Sequence, residues 1–511
     1  MYENSFANIL HFLENRKSLL RFLLKKATFY TLLYEERQQN QPFFSTFAPM
    51  KAKRDNYTFL TEGPIHQVIF TMAIPTIISM LSTSMYNLAD TYFVGSINTQ
   101  SVAAVGVSFA MMSVVQAVGF FYGHGAGNYV SRQLGAKHQE NAEKMAATGV
   151  VLSFLTGLLI AIVGHIFLTS LCTGLGSTPT ILPYTECYLG IILLGAPLMT
   201  TSLTLNNLMR FQGNAIYAMK GIMSGVLLNL ILAPLLILYF EMGITGAAIA
   251  TLISQCFGCL MLLWMTTKGQ NIRIRLRNFS PTKGYLKEIV FGGTPSLSRQ
   301  GMGSISTLML NVAAGVYGDA AIAGMSIVTR ICFFTYAVVI GLGQGFQPLC
   351  GFCYGAKLYA RVRDAFYFCI KCGTIFLCIC AIIGFVFAEN IVELFRSDPD
   401  VVSVGAMALK WQVISFPLVT TIVLTNMLMQ TIRKPVRANL VAAARSGLFF
   451  IPLIFILPHF FGLLGVEMCQ AWADVCSFSL AVPIAWSAFR DMRRMKAMER
   501  AGERAVEERE S

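Results

Sequence analysis

Residues 146–171 of this chain hold a single ionisable side chain, His165, and residues 221–240 hold no charged one. Each run is long enough for the roughly 20 apolar residues that cross a hydrocarbon core. In lipid a chain must pair every backbone N–H and C=O within a helix or a closed barrel. These runs lack the apolar–polar alternation of barrel strands, so helices are expected. Composition agrees: 13% of the 511 residues are charged, against about 25% in soluble domains. A soluble domain of this size is therefore excluded.

Twelve such spans are expected, near 66–89, 102–127, 146–170, 185–209, 219–240 and 245–266, then 287–315, 320–347, 365–388, 405–428, 438–459 and 464–488. Lys and Arg gather in every second loop. Arg132, Lys137 and Lys144 follow span two, and Arg210 and Lys220 follow span four. A basic linker at 268–286 follows span six, and Arg490, Arg493 and Arg494 open the tail at 490–511. By the positive-inside rule both termini are cytoplasmic in the cell membrane. The net charge of +13 thus reads as topology and affinity for membrane lipid, with no nucleic-acid partner. Residues 1–49 interleave Arg16, Lys17, Arg21, Lys25 and Lys26 with Leu and Phe. They read as a surface helix or as an extension outside the core. The Cys369–Cys372 spacing lacks a second pair or a His, so cysteines on packed helix faces, and no metal site, are expected.

The two halves repeat. Pro75 and Pro295, Gly123 and Gly343, Gly125 and Gly345, Pro197 and Pro417, and Asn206 and Asn426 are all 220 residues apart, as are Gly135-Ala136-Lys137 and Gly355-Ala356-Lys357. A constant offset across five spans implies a duplicated six-helix unit. Because six is even, the copies run parallel, with an N-lobe at 60–267, a C-lobe at 287–489 and a cavity between them. The matched prolines are expected to bend their helices and shape that cavity. The expected class is an all-α membrane protein of twelve helices, a secondary transporter and not an enzyme. No nucleotide loop, HExxH or GxSxG motif is present, and an ion gradient is the expected energy source.

Ionisable groups inside spans mark candidate sites. Asp90, at the outer end of span one, reads either as a proton or cation site or as a carboxylate solvated at the interface. Asp474, in the last span, reads as functional or as a hydrogen-bonded structural acid. Arg299, Arg330 and Arg445 either pair with an acid such as Asp474 or bind an anionic group.

Several segments together resemble the multidrug and toxic compound extrusion (MATE) family, of the MepA-type branch, over about residues 60–490. They are Tyr86-Asn87-Leu88-Ala89-Asp90, Ser131-Arg132-Gln133-Leu134-Gly135-Ala136-Lys137, Arg210-Phe211-Gln212-Gly213-Asn214, Gly341-Leu342-Gly343-Gln344-Gly345-Phe346-Gln347-Pro348 and Ile456-Leu457-Pro458-His459-Phe460-Phe461-Gly462-Leu463. The resemblance implies a monomer with two lobes in a V, exporting small organic compounds against H⁺ or Na⁺. It also implies that Asp90 is the coupling carboxylate and that no cofactor beyond that ion is used. Two departures stand out. Ala233 occupies a position often held by an acid in span five, and Gln344 one held by glutamate in some members. On this reading Asn87, Asn206 and Asn229 line the N-lobe cavity, and Arg330, Gln344, Asn426 and Asp474 the C-lobe one. A flippase for a lipid-linked precursor, or a non-transporting receptor or scaffold, are the alternatives.

Overall fold

The computed structural model describes residues 55–95 and 97–510, apart from the side chains of 86–92 and 499–510. The expected extension at 1–49 lies outside the described residues. In the first half the helices are α1 (Asn56–Glu62), α2 (Ile65–Gly95), α3 (Thr99–Gly135), α4 (Gln139–Ile166), α5 (Leu168–Gly174), α6 (Leu182–Leu194), α7 (Ala196–Phe211), α8 (Ala215–Pro234) and α9 (Gly243–Thr266). In the second they are α10 (Lys283–Gly315), α11 (Asp319–Gly355), α12 (Tyr359–Val386), α13 (Ala388–Glu393), α14 (Pro399–Thr431), α15 (Pro435–Ala443), α16 (Phe450–Phe461) and α17 (Leu463–Glu510).

Among the described residues ten helical segments are long and apolar enough to cross a hydrocarbon core, and α6 with α7 makes an eleventh across a 50° bend. The twelfth is α10, which is 33 residues long; its Lys283, Lys287, Glu288 and Arg299 lower its hydropathy. Helix starts follow local chemistry. The Asn98 side chain accepts from the Ser101 N–H at 2.7 Å, and Asp398 accepts from the Asp400 N–H with Pro399 as the first helical residue. At Gly462 φ is +59°, a left-handed conformation that turns the chain from α16 into α17 and favours glycine.

The matched prolines do not act alike. Pro197 lies just past the break between α6 and α7, whereas Pro417 sits inside one unbroken 33-residue helix, α14. Gly195 precedes the break, and the other half has Ser415 at that offset, whose Oγ donates to the Gln412 carbonyl within its own helix. Proline removes one backbone bond in both copies; the glycine, with its looser backbone, accompanies the break. Pro75 and Pro295 also lie within continuous helices. In the fifth span of each half the chain widens into a single π-turn, Leu235–Tyr239 and Ala444–Leu448.

The halves meet crosswise, α3 against α10 and α2 against α11, where side chains are smallest. A Cβ on Gly125 would strike the Ile289 carbonyl, and one on Gly345 would lie 2.7 Å from the Ala73 nitrogen. The duplicated Gly-Ala-Lys motif works the same way, with Gly135 against the Phe352 backbone and Gly355 against that of Arg132. Apolar packing follows: Val68, Ile69 and Ala73 share a buried cluster with Phe346, Phe366 and Leu428. Away from the basic loops the helices part. Gly95, Gly106, Gly301 and Gly303 have nothing within 4 Å of a built Cβ.

A buried ionic link closes the same end. The Glu288 carboxylate takes Arg132 Nη2 at 2.8 Å from the first half and Arg433 Nε at 2.6 Å from the second. Arg132 Nη1 also donates to the Thr431 carbonyl at 2.8 Å, and Thr431 Oγ1 donates to Asn128 Oδ1 at 2.8 Å. The side chains of Arg132 and Glu288 are 12% and 10% exposed, so this pair is weakly screened. Removing one partner of such a pair strands a desolvated charge.

Two outcomes test this seal. Gly355→Ala is expected to lower stability by about 1–3 kcal/mol through overpacking, and Gly303→Ala to be neutral or stabilising; thermal unfolding in detergent compares them. Glu288→Gln is expected to lengthen the distance between spin labels at exposed Glu140 and Arg363 in a cysteine-free background. An unchanged distance distribution would show that the ionic link does not hold the halves together.

Candidate functional site

Halfway along α3 and α11, polar side chains replace the apolar packing. His124 and Gln344 each lie eleven residues before the basic-end terminus of their helix, a depth of about 16 Å. His124, Asn128 and Arg132 recur every fourth residue, so one stripe of α3 faces the other half. His124 Nδ1 lies 3.0 Å from Ser296 Oγ, which accepts from Gln430 Nε2 at 2.8 Å. Gln430 Nε2 also donates to the Gly292 carbonyl at 2.6 Å, and Gln347 Nε2 donates to Gln430 Oε1 at 3.2 Å.

Beside this chain of bonds stand two arginines. Arg210 Nη1 donates to Gln344 Oε1 across the halves at 2.5 Å, and Nη2 donates to Asn207 Oδ1. Arg299 Nη1 donates to Asn426 Oδ1 at 3.3 Å. Arg210 is 4% exposed and Arg299 half-buried. Among the described residues no carboxylate pairs with either. A guanidinium at this depth costs at least ~2.5–3.5 kcal/mol, which neutral amide partners only partly offset. Three buried atoms of the cluster have no partner: Arg210 Nε, His124 Nε2 and Gln347 Oε1.

Arg210 corrects a sequence expectation. It was counted among the loop charges after span four, yet it lies inside α7, one residue before its end. Arg132 likewise lies within α3. The offset could have flagged both buried groups: Gln430 stands 220 residues after Arg210, and Gln344 stands 220 after His124.

The other expected site residues fall into separate places. Asn206 Nδ2 donates to the Ala218 carbonyl at 3.0 Å, and Asn426 Nδ2 to the Ala438 carbonyl at 2.8 Å. The two amides therefore do the same work in each half, tying the fourth span to the fifth. Asn229 Nδ2 donates to Thr251 Oγ1 at 3.2 Å, between α8 and α9. Arg330 is exposed on α11. The side chains of Asp90 and Asn87, on α2, lie outside the described residues.

Asp474 has no exposed surface and forms a second polar centre, within the second half. Arg445 Nε donates to its Oδ1 at 2.7 Å and Nη2 to its Oδ2 at 3.3 Å. Ser415 Oγ and Gln470 Nε2 add bonds of 2.9 and 3.0 Å. The Arg445 guanidinium lies 4.4 Å from the centre of the Tyr336 ring, an arrangement the ring's negative face favours. The π-turn carries Arg445, so this local widening of the fifth span supplies the arginine to α17. With both oxygens engaged, the carboxylate acts as a tie between α14, α17 and the π-turn.

That tie has a measurable value. Asp474→Asn is expected to cost about 3–5 kcal/mol by stranding Arg445. The double change Asp474→Leu with Arg445→Met should recover much of the loss. Thermal unfolding of the single and double variants in detergent measures the coupling.

Both halves match the MatE family profile, over residues 75–235 and 295–456. The Multidrug export protein MepA of Staphylococcus haemolyticus is 28% identical over 438 residues, covering 85% of this chain and 96% of that protein. MepA of Staphylococcus aureus is 27% identical over 417 residues, covering 81% and 92%. Among solved structures, the outward-facing conformation of a multidrug resistance MATE family transporter of the MOP superfamily superposes with a TM-score of 0.81. It is 24% identical, and the match covers 87% of this chain and all of that one. A MOP superfamily transporter from Pyrococcus furiosus gives the same TM-score and identity, and these likenesses fix the fold. With the profile matched once in each half, the chain belongs to the MatE family: it is a multi-pass membrane transporter, not an enzyme, built as two copies of a six-helix unit.

Proposed function

We propose that this chain is a cation-coupled antiporter that exports small organic compounds, with H⁺ or Na⁺ as the coupling ion and Asp90 as the coupling carboxylate. The observation that carries the reading is the one-ended seal. The halves lock at the end bearing the basic loops and part at the other. With both termini cytoplasmic in the plasma membrane, this is the outward-open arm of alternating access. The export named for the staphylococcal relatives, which match over nearly their full length, supports the direction of transport. A monomer suffices, because both lobes come from one chain.

In the exchange, ion binding at Asp90 in the N-lobe would release substrate outward, and breaking the Glu288 link would admit new substrate from the cytoplasm. Asn206, Asn229 and Asn87 would line the N-lobe side of the path, and Gln344, Asn426 and Arg330 the C-lobe side. Asp474 would act on that side only through the helices it ties.

Proteoliposomes loaded with a fluorescent dye and given separate H⁺ and Na⁺ gradients test the reading. One gradient is expected to drive dye movement, and Asp90→Asn is expected to cut the initial rate at least about tenfold, as for a group that carries the coupling ion. Full gradient-driven transport by the variant would remove Asp90 from that role.

A further inference from the structure

We propose that the cluster of Arg210 and Arg299 between the two lobes is a binding site for an anionic oxygen group, a carboxylate or a phosphate. The site differs in place and in sign from coupling at Asp90, so the inference goes beyond the antiport reading.

The argument starts from charge balance. Arg132 and Arg445 are each met by a carboxylate, Glu288 and Asp474. Arg210 and Arg299 are met by amide oxygens of Asn207, Gln344 and Asn426. Amides orient the guanidiniums but leave the charge in place. His124 links the two: its Nδ1 lies 3.0 Å from Ser296 Oγ, one turn before Arg299, and its ring meets that of Phe211, the neighbour of Arg210. Two like charges at mid-membrane depth therefore lack a counter-charge that buried charges ordinarily require.

The free donor points the same way. Arg210 is 4% exposed, and its Nε has no partner. A buried guanidinium N–H with no partner suits the oxygen of a carboxylate or phosphate. Arg299, half-buried, is the partly exposed member of the cluster. The duplication makes the site single: at the 220-residue offset Gln430 replaces Arg210, and its amide is already bonded to Gly292 and Ser296.

The group could belong to a free organic or inorganic anion, or to a lipid headgroup. Full-length protein in phosphatidylcholine nanodiscs at low ionic strength is titrated with benzoate and with inorganic phosphate, and its unfolding temperature is followed. A parallel sample contains phosphatidylglycerol. At least one probe is expected to raise the unfolding temperature by about 3 °C or more; Arg210→Gln and Arg299→Gln are expected to weaken that response at least tenfold. A response to phosphatidylglycerol alone, lost in the same variants, identifies the lipid as the source. Gln344→Glu places a carboxylate against Arg210 Nη1, so it should fold and yet lose the response. No response of the unmodified protein to any probe, or a full response in folded Gln344→Glu, overturns the proposal. Binding is read without a gradient, so its failure is distinct from a failure of coupling at Asp90.

Discussion

Gly125, Gly135, Gly345 and Gly355 let helices from opposite lobes approach until backbone meets backbone. In hydrocarbon no hydrophobic force holds two apolar helices together, so close packing and polar bonds must do it. The rest of the structure hangs on that contact. It brings Arg132 to Glu288 and sets Arg210 against Gln344. Because the tight contacts stop partway along α3 and α10, they also fix which end of the molecule is shut.

Within this frame the two copies share packing but not chemistry. Asn206 and Asn426 perform the same tie to the following helix, and the Gly-Ala-Lys motifs make mirrored contacts. The ionic groups break the pattern. Arg445 and Asp474 form a pair inside the second lobe, and Arg210 has a glutamine for its counterpart. The packing frame is thus shared by the two lobes, while their ionic groups differ.

Much of this was legible in the sequence, because lipid imposes simple rules. Uncharged runs marked the spans, and the 220-residue offset marked the duplication; which helices meet across the halves became visible only in the structure. Side-chain placement was harder to read. Arg210 looked like a loop charge because α7 ends beside it, yet it is buried and bonded to Gln344 of α11 across the halves. His124 lies between Gly123 and Gly125, and only its contact with Ser296 of the other half marks it as part of a polar cluster. The matched prolines promised matched bends, yet the chain bends by 50° beside Pro197 and runs on as one helix through Pro417. For Arg210 and His124 the deciding contacts come from residues distant in sequence, Gln344 and Ser296.

The 220-residue offset also has a consequence for how such a molecule could arise. A symmetric dimer of one half would use every contact twice. Any residue at the position of Arg210 would appear in both subunits, on either side of the axis, and a second guanidinium would stand where Gln430 now bonds Gly292 and Ser296. Fusion of the halves into one chain removes that constraint. A single arginine can then face a single glutamine, and the charge at the axis can be changed by one unit at a time.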